Sequence, residues 1–192
     1  METYYGHIRS PADAIIVFEA CRLGALPSVQ RRLSEKERES IRSGSVFVWD
    51  EREAGMRRWT DGKSWSASRV SGSFLTYREM EGKRLPSGPT PGGGSSNKAS
   101  DSSEDGAVDD DGIDGYKYKP AGLTKQSFSV TTVHNQRLHL ISYYARAHPS
   151  SASLLMPTLD PALKHVRPPT GMYPDALDPP NAHATLTEIV SA

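Results

Sequence analysis

Between Pro11 and Arg22 the apolar residues Ala14, Ile15, Phe18 and Cys21 fall three to four positions apart. That period is helical. Ser10 can cap the helix, Pro11 suits its first position, Asp13 sits at its positive end, and Gly24 marks a stop. Ser34-Glu35-Lys36-Glu37 has the form of a capping box, predicting a second short helix to about Arg42, before Gly44. Elsewhere the pattern is that of strands. Tyr4–Ile8 reads as a short strand and Val46-Phe47-Val48-Trp49 as another. Glu51–Gly55 reads as a turn and Met56–Trp59 as the returning strand. Asp61-Gly62 is a tight turn, and Ser73–Tyr77 a further strand. Leu123–Val133 alternates, with Phe128, Val130 and Thr132 on one face. His134-Asn135-Gln136 is a turn, and Arg137–Tyr144 returns with Leu138, Leu140 and Ser142 on one face. A lone hairpin is marginal in water, so this one needs a sheet to join, and the first part of the chain offers one.

The pattern fails in two places. Residues 85–115 carry Pro86, Pro89, Pro91, Gly92-Gly93-Gly94 and a run of Ser and Asp, with almost nothing apolar to bury. They read as a disordered linker, spanning roughly 30 Å root-mean-square as a Gly/Ser-rich coil. Beyond Ala145 the chain turns rich in Pro, Ser and Ala, with a weak helical piece near Asp160–His165. A poorly ordered tail is expected there, partly tucked against the domain. The organisation is thus a first block at 1–84, a linker at 85–115, a second block at 116–150 and a tail at 151–192. The fold class is α+β: a mixed, sheet-centred single domain formed by two interlocked blocks.

Charge follows the same division. The chain has 192 residues, with 23 Lys+Arg and 23 Asp+Glu. Residues 1–84 hold 15 basic and 12 acidic groups and residues 116–192 hold seven and four, whereas the linker holds one and seven. Two mildly basic blocks are therefore cancelled by one acidic segment, a balance that permits nucleic-acid binding. The single cysteine, Cys21, excludes an internal disulfide and a cysteine-built zinc site, and fits a core role. The histidines lack paired metal spacing. No apolar run reaches the roughly 18 residues that span a bilayer, and no signal peptide opens the chain. No phosphate-cradling glycine loop or nucleophile motif is present. The chain is expected to be a non-enzyme with no cofactor, no metal, no membrane partner and no small-molecule substrate.

The densest chemistry lies in Arg57-Arg58-Trp59-Thr60-Asp61-Gly62-Lys63-Ser64-Trp65-Ser66-Ala67-Ser68-Arg69. Four cations can neutralise phosphates, while hydroxyls and backbone N–H groups donate to phosphate oxygens. Arginine also reads a guanine edge or enters a narrow A/T minor groove. The candidate DNA-binding residues are Arg57, Arg58, Trp59, Thr60, Asp61, Gly62, Lys63, Ser64, Trp65, Ser68 and Arg69. Composition alone leaves a second reading open: a hairpin whose tryptophans are core and whose cations are solvated.

Four runs resemble the first block of the WOPR-box family of fungal transcription regulators. They are Phe18–Gly24, Ser43–Trp49, Arg58–Trp65 and Gly72–Glu79. Gly122-Leu123-Thr124-Lys125 with Leu138–Tyr144 resembles the second block. The resemblance implies two blocks interlocked around a β-sheet and binding to A/T-rich double-stranded DNA. It also implies a nuclear protein governing a developmental or morphological programme. Arg58, Lys63 and Arg69 would be the cationic contacts and Thr60 and Ser64 the hydroxyl donors, with Trp59 and Trp65 supporting the loop. Ala67 stands where the family loop is expected to carry proline, and Ala145–Ser150 replaces an acidic helical segment. These departures motivate the alternative, a protein-interaction module of the same fold that has lost specific DNA binding.

Arg57-Arg58-Trp59-Thr60 and Arg31-Arg32-Leu33-Ser34 fit a basophilic kinase pattern, which makes Thr60 and Ser34 phosphorylation candidates. Phosphate on Thr60 would add about −1.5 to −2 charge to the loop and weaken DNA binding. Ser34 fits plain helix capping.

Overall fold

The computed structural model describes residues 1–82, 117–146, 153–174 and 176. The proposed linker, residues 85–115, lies wholly outside the described residues.

The first helix, α1 (Pro11–Arg22), forms where the spacing predicts it. Ser10 accepts from the Asp13 amide, and Asp13 reaches back to the Ser10 backbone, closing a reciprocal cap. α2 (Glu35–Glu39) repeats that device with Ser34 and Glu37, but ends earlier than expected, at a Ser40 cap. The strands are β1 (Tyr4–Tyr5), β2 (Ser45–Asp50), β3 (Arg69–Ser71), β4 (Phe74–Arg78), β5 (Leu123–Thr131) and β6 (Arg137–Ala145). They form one antiparallel sheet in the order β1-β2-β6-β5-β4-β3.

That order shows how the blocks interlock. The hairpin β5–β6 from the second block stands at the centre of the sheet. β2 pairs with β6 (Val48 opposite Leu140) and β4 pairs with β5 (Thr76 opposite Gln126). The first block therefore contributes two sheet halves that do not pair with each other. Only the hairpin joins them, and without it each half would expose an open edge. Asn135, with φ of 60°, supplies the left-handed turn residue of the hairpin, where the His134-Asn135-Gln136 signal placed it.

Strand alternation sends two sets of side chains to opposite faces. Val46, Val48, Phe128, Val130 and Leu140 face α1, meeting Ile15, Val17 and Phe18. Phe47, Trp49, Ile141 and Tyr143 face the other way and pack with Val29, Leu33, Ile41 and Met56. Both faces of β2, and of β6 from Leu140 to Tyr143, are thus buried.

Three expectations need correction. Glu51–Gly55 is not a plain turn: Glu51–Ala54 forms a helical turn, α3, because the Asp50 carboxylate accepts from the Arg52 and Glu53 amides. Met56–Trp59 is not a returning strand. β2 already has β1 and β6 as neighbours, so no edge remains for it. The tail was expected to be poorly ordered and only partly tucked against the domain, yet residues 153–174 are built into the core. Two 3-10 turns, Pro157–Leu159 and Pro161–Leu163, cross the end of α1, and Leu163, Val166, Met172 and Tyr173 enter its core. Buried and partly buried polar bonds fix the path. The Asp13 carboxylate accepts from the Thr158 amide and hydroxyl (3.1 and 2.8 Å), and the Tyr4 hydroxyl donates to Asp160 (2.7 Å). The Tyr173 hydroxyl donates to Glu19 (2.9 Å).

Candidate nucleic-acid interface

The Arg57–Arg69 segment crosses the face of the sheet opposite α1, and it divides into an inward and an outward set. Trp59 lies nearly flat on Trp49, with ring centroids 5.0 Å apart, and also meets Phe47 at 5.0 Å. Its indole N–H donates to the Tyr143 hydroxyl at 2.7 Å. That hydroxyl in turn donates to Asp61 Oδ2 at 2.7 Å. The Asp61 carboxylate also accepts from the Trp65 indole (3.0 Å), the Lys63 amide (3.1 Å) and Lys125 Nζ (3.4 Å). Lys125 stands 4.4 Å above the Trp65 ring and 5.0 Å above Tyr77.

This network rests on a buried charge pair. Asp61 and Lys125 are only 5% and 11% exposed, so each needs the other in a poorly solvating site. Burial pushes the Asp61 carboxyl up, but Tyr143, Lys125 and Trp65 outweigh it and hold the group below the usual carboxylate range. Burial lowers Lys125, with Asp61 opposing, and raises the Tyr143 phenol, with Asp61 reinforcing. Asp61 and Trp59 come from the first block, Lys125 and Tyr143 from the second. The loop is therefore held where the two blocks meet.

The outward set is different. Arg57, Arg58, Thr60, Gly62, Ser64, Ser68 and Arg69 are all exposed. Arg58 makes no hydrogen bond or ion pair among the described residues. Arg57 pairs with Glu51 at 3.2 Å in an exposed contact that phosphate could readily displace. Thr60 accepts from Arg32 at 3.0 Å. Gly62 has φ of 73°, a left-handed position that a side chain would strain, and the Arg38 side chain lies against it.

Two candidates from the sequence sit otherwise than expected. Asp61 is no surface contact: it is buried beneath the loop and organises it. Lys63 is only 21% exposed, and its ammonium lies 3.9 Å from the buried Glu79. The sequence reading also missed Arg32, Arg38, Lys125 and Tyr143. Lys125 and Tyr143 do lie in the runs that carry the family resemblance, but nothing local ties them to residues 64 and 82 positions away. Arg32 and Arg38 flank and line α2 and give no signal in sequence that they reach the loop. Of the phosphorylation candidates, Thr60 is exposed at the loop, while Ser34 is engaged in the α2 cap.

The model of the Gti1/Pac2 family matches residues 3–104 and 89–145. The chain belongs to the Gti1/Pac2 family. Its similarity to the cAMP-independent regulatory protein pac2 of Schizosaccharomyces pombe is 56% identity over 93% of this chain and 85% of pac2. Global transcription regulator sge1 of Gibberella moniliformis is 34% identical over 86% of this chain. The chain spans only 60% of the length of sge1. Among solved structures, the WOPR domain of Wor1 from Candida albicans, in complex with a 17-bp double-stranded DNA, matches with a TM-score of 0.62 and 31% identity. That match covers 89% of this chain and 95% of the domain. The WOPR-box resemblance and the sheet-centred α+β class are thereby borne out.

Proposed function

We propose that this chain is a sequence-specific, double-stranded-DNA-binding transcription regulator. The observation that carries the reading is the likeness, across 89% of the chain, to a domain solved on duplex DNA. The names of the relatives support the regulatory role.

The outward set is the contact surface in this reading. Arg58, Arg57 and Arg69 supply the principal cations, and Thr60, Ser64, Ser68 and the Gly62 backbone pack against sugar and phosphate. Lys63 contributes charge at closer range to Glu79. Trp59, Asp61 and Trp65 hold the loop rather than touch bases. A rigid loop bearing exposed arginines suits the narrow, strongly negative minor groove of A/T-rich sites. The programme controlled is a developmental or morphological one in a fungus, and the place of action is the nucleus. Thr60, exposed with Arg57 and Arg58 three and two residues before it, is the target of a basophilic kinase. Its phosphate would turn Arg32 inward and repel DNA. A Thr60→Glu variant that folds normally yet binds DNA unchanged would remove that switch.

The test is selection of binding sites from a randomised duplex pool across a salt series, with an Arg58→Ala/Lys63→Ala/Arg69→Ala variant alongside. A short A/T-rich consensus, lost in the folded variant, is expected. Weak, unselective binding that the variant shares would overturn the reading in favour of a protein-interaction module.

A further inference from the structure

The outward side of the Arg57–Arg69 loop has a gap in its charge. Arg57 and Arg58 stand at one end and Arg69 at the other. Between them Asp61 is buried, and the Lys63 ammonium is drawn to within 3.9 Å of the buried Glu79. Thr60, Gly62, Ser64 and Ser68, the exposed positions in between, carry no charge. Two guanidiniums from outside the loop stand at this gap. Arg32 Nη1 donates to the Thr60 hydroxyl at 3.0 Å. The Arg38 side chain lies against Gly62, where an added Cβ would stand 3.8 Å from its Cδ and Nη1. Both arginines belong to a segment that packs on the loop face of the sheet. Its Leu33 and Ile41 enter the same cluster as Trp49, Trp59 and Tyr143. The backbone there is fixed as well: the Val29 amide donates to the Val48 carbonyl at 2.8 Å, and the Ser34–Glu37 box orders α2. Loop and guanidiniums therefore share one face, and a duplex on the loop meets them without passing round the sheet.

Neither guanidinium is neutralised. Arg32 and Arg38 make no ion pair among the described residues, and the nearby Glu35 and Glu39 make none either. Glu37 is committed elsewhere, accepting from Arg31 at 2.8 Å and from the Ser34 amide at 2.7 Å. The side-chain bond of Arg32 goes to a neutral hydroxyl, and an anionic phosphate oxygen is a stronger acceptor for a guanidinium. Arg38 is half-buried, with its stem laid along the loop and its charge at the loop's edge. Duplex DNA carries one charge for about every 1.7 Å of its axis. A duplex seated on Thr60 and Gly62 therefore presents phosphates to the two side chains that already touch those residues.

We propose that Arg32 and Arg38 are DNA-contacting residues, each taking a backbone phosphodiester of the duplex beside the uncharged middle of the loop. The inference rests on the DNA-binding reading and deepens it. The two contacts carry no base information, because phosphate contacts position without specifying. They set the depth and angle at which the loop meets the duplex. They also make the DNA surface a product of two separate stretches of the first block, the loop and the segment around α2.

The experiment measures affinity of the full chain for its selected duplex across a salt series. It compares the wild type with Arg32→Gln, Arg38→Gln, the double variant, Arg32→Lys and Arg38→Lys. Glutamine keeps an N–H donor for the loop and removes the charge, whereas lysine keeps the charge. Lys36→Gln is the control, since Lys36 lies two positions from Arg38, roughly 200° round the helix. Thermal melting checks that each variant folds. In each single glutamine variant the slope of log affinity against log salt should fall in magnitude by about 0.9, which is about fivefold weaker binding at 0.15 M salt for curves that meet at 1 M. The double variant should lose about 1.8 in slope and roughly thirtyfold in affinity. The lysine variants and Lys36→Gln should keep the wild-type slope, and the selected sequence should stay the same throughout. A steep wild-type slope shared by the glutamine variants would overturn the two contacts and leave the loop reading intact. Affinity lost equally at every salt concentration, with an altered sequence preference, would also overturn them, and would make Arg32 and Arg38 mere supports of the loop. An equal fall in slope for Lys36→Gln would reduce the effect to the overall charge of the segment and reject the proposal. A wild type with no salt-dependent duplex binding would overturn both readings.

Discussion

On one face of the sheet, α1 and residues 153–174 cover a core that is mostly aliphatic and aromatic: Ile15, Val17, Phe18, Phe128, Leu140, Leu163 and Tyr173. On the other face the cover is the Arg57–Arg69 loop together with Val29, Leu33, Ile41 and Met56, and this layer holds three tryptophans, Tyr143 and the Asp61–Lys125 pair. The first face is built mainly by non-directional burial, which tolerates substitutions of similar volume, with the Asp13–Thr158 and Glu19–Tyr173 bonds holding the path of residues 153–174. The second is built by directional bonds and ring stacking, which fix where backbone and side chains stand. The difference separates two tasks. One face keeps the domain folded, and the other holds a row of exposed cations in a set arrangement. Buried polar groups on the second face cost desolvation, and their return is geometric precision at the loop.

This contrast can be broken in several ways. The largest effect is expected from removing the shared scaffold. A Met1–Lys83 fragment keeps β1–β2 and β3–β4 but lacks the strands that join them. It should show no cooperative melting transition; a sharp one would mean that the first block folds alone. Next come two deletions of similar cost and opposite consequence. Phe18→Ala should lose about 3–5 kcal/mol of unfolding free energy, yet its folded fraction should keep the wild-type sequence preference. Asp61→Ala leaves Lys125 buried without its carboxylate and should lose about 3–5 kcal/mol. Here the folded fraction should also lose sequence preference. Equal preference in both variants would erase the distinction between the faces.

Smaller changes sharpen it. Tyr143→Phe removes the hydroxyl that links Trp59 to Asp61 and should cost about 1–3 kcal/mol, measured by denaturant unfolding. The Asp61 carboxyl is held below its usual value of 3.8, so its contribution to stability is present above that pH and lost as pH falls through the lowered folded value. Glu19, held below its usual 4.5 by Arg22 and Tyr173 against the opposing effect of burial, acts with the same sign on the other face. Acid unfolding below about pH 4 should therefore be less steep in Asp61→Ala and in Tyr173→Phe than in the wild type. The smallest stability effect is expected from Arg58→Ala, within about 0.5 kcal/mol, despite a clear loss of duplex affinity.

The local parts of this architecture were legible in the sequence. The Ser10 cap with its helical spacing, the Ser34 box and the Leu123–Tyr144 hairpin all speak through neighbours within a few residues. The pairing of β2 with β6 does not, because register across some 90 positions leaves no local trace. Nor does the packing of the tail. Leu163, Val166, Met172 and Tyr173 are spaced by prolines and match no helix or strand period, so a segment that completes the core read as loose chain. At the candidate site, the density of cations and indoles singled out the loop, and the resemblance suggested DNA contact as its use. What stayed hidden was its underside. An aspartate in a turn ordinarily faces water, and only Lys125 and Tyr143, brought in from the second block, explain why Asp61 faces inward.

The central claim is that the loop face meets DNA while the α1 face does not. Amide hydrogen exchange of the full chain, with and without an A/T-rich duplex, tests it most directly. Protection confined to Arg57–Arg69 and the neighbouring stretches 31–39 and Arg78–Met80, with Pro11–Arg22 and Pro157–Leu163 unchanged, is the predicted result. Protection on α1 and the 3-10 turns, with the loop unchanged, would contradict the account.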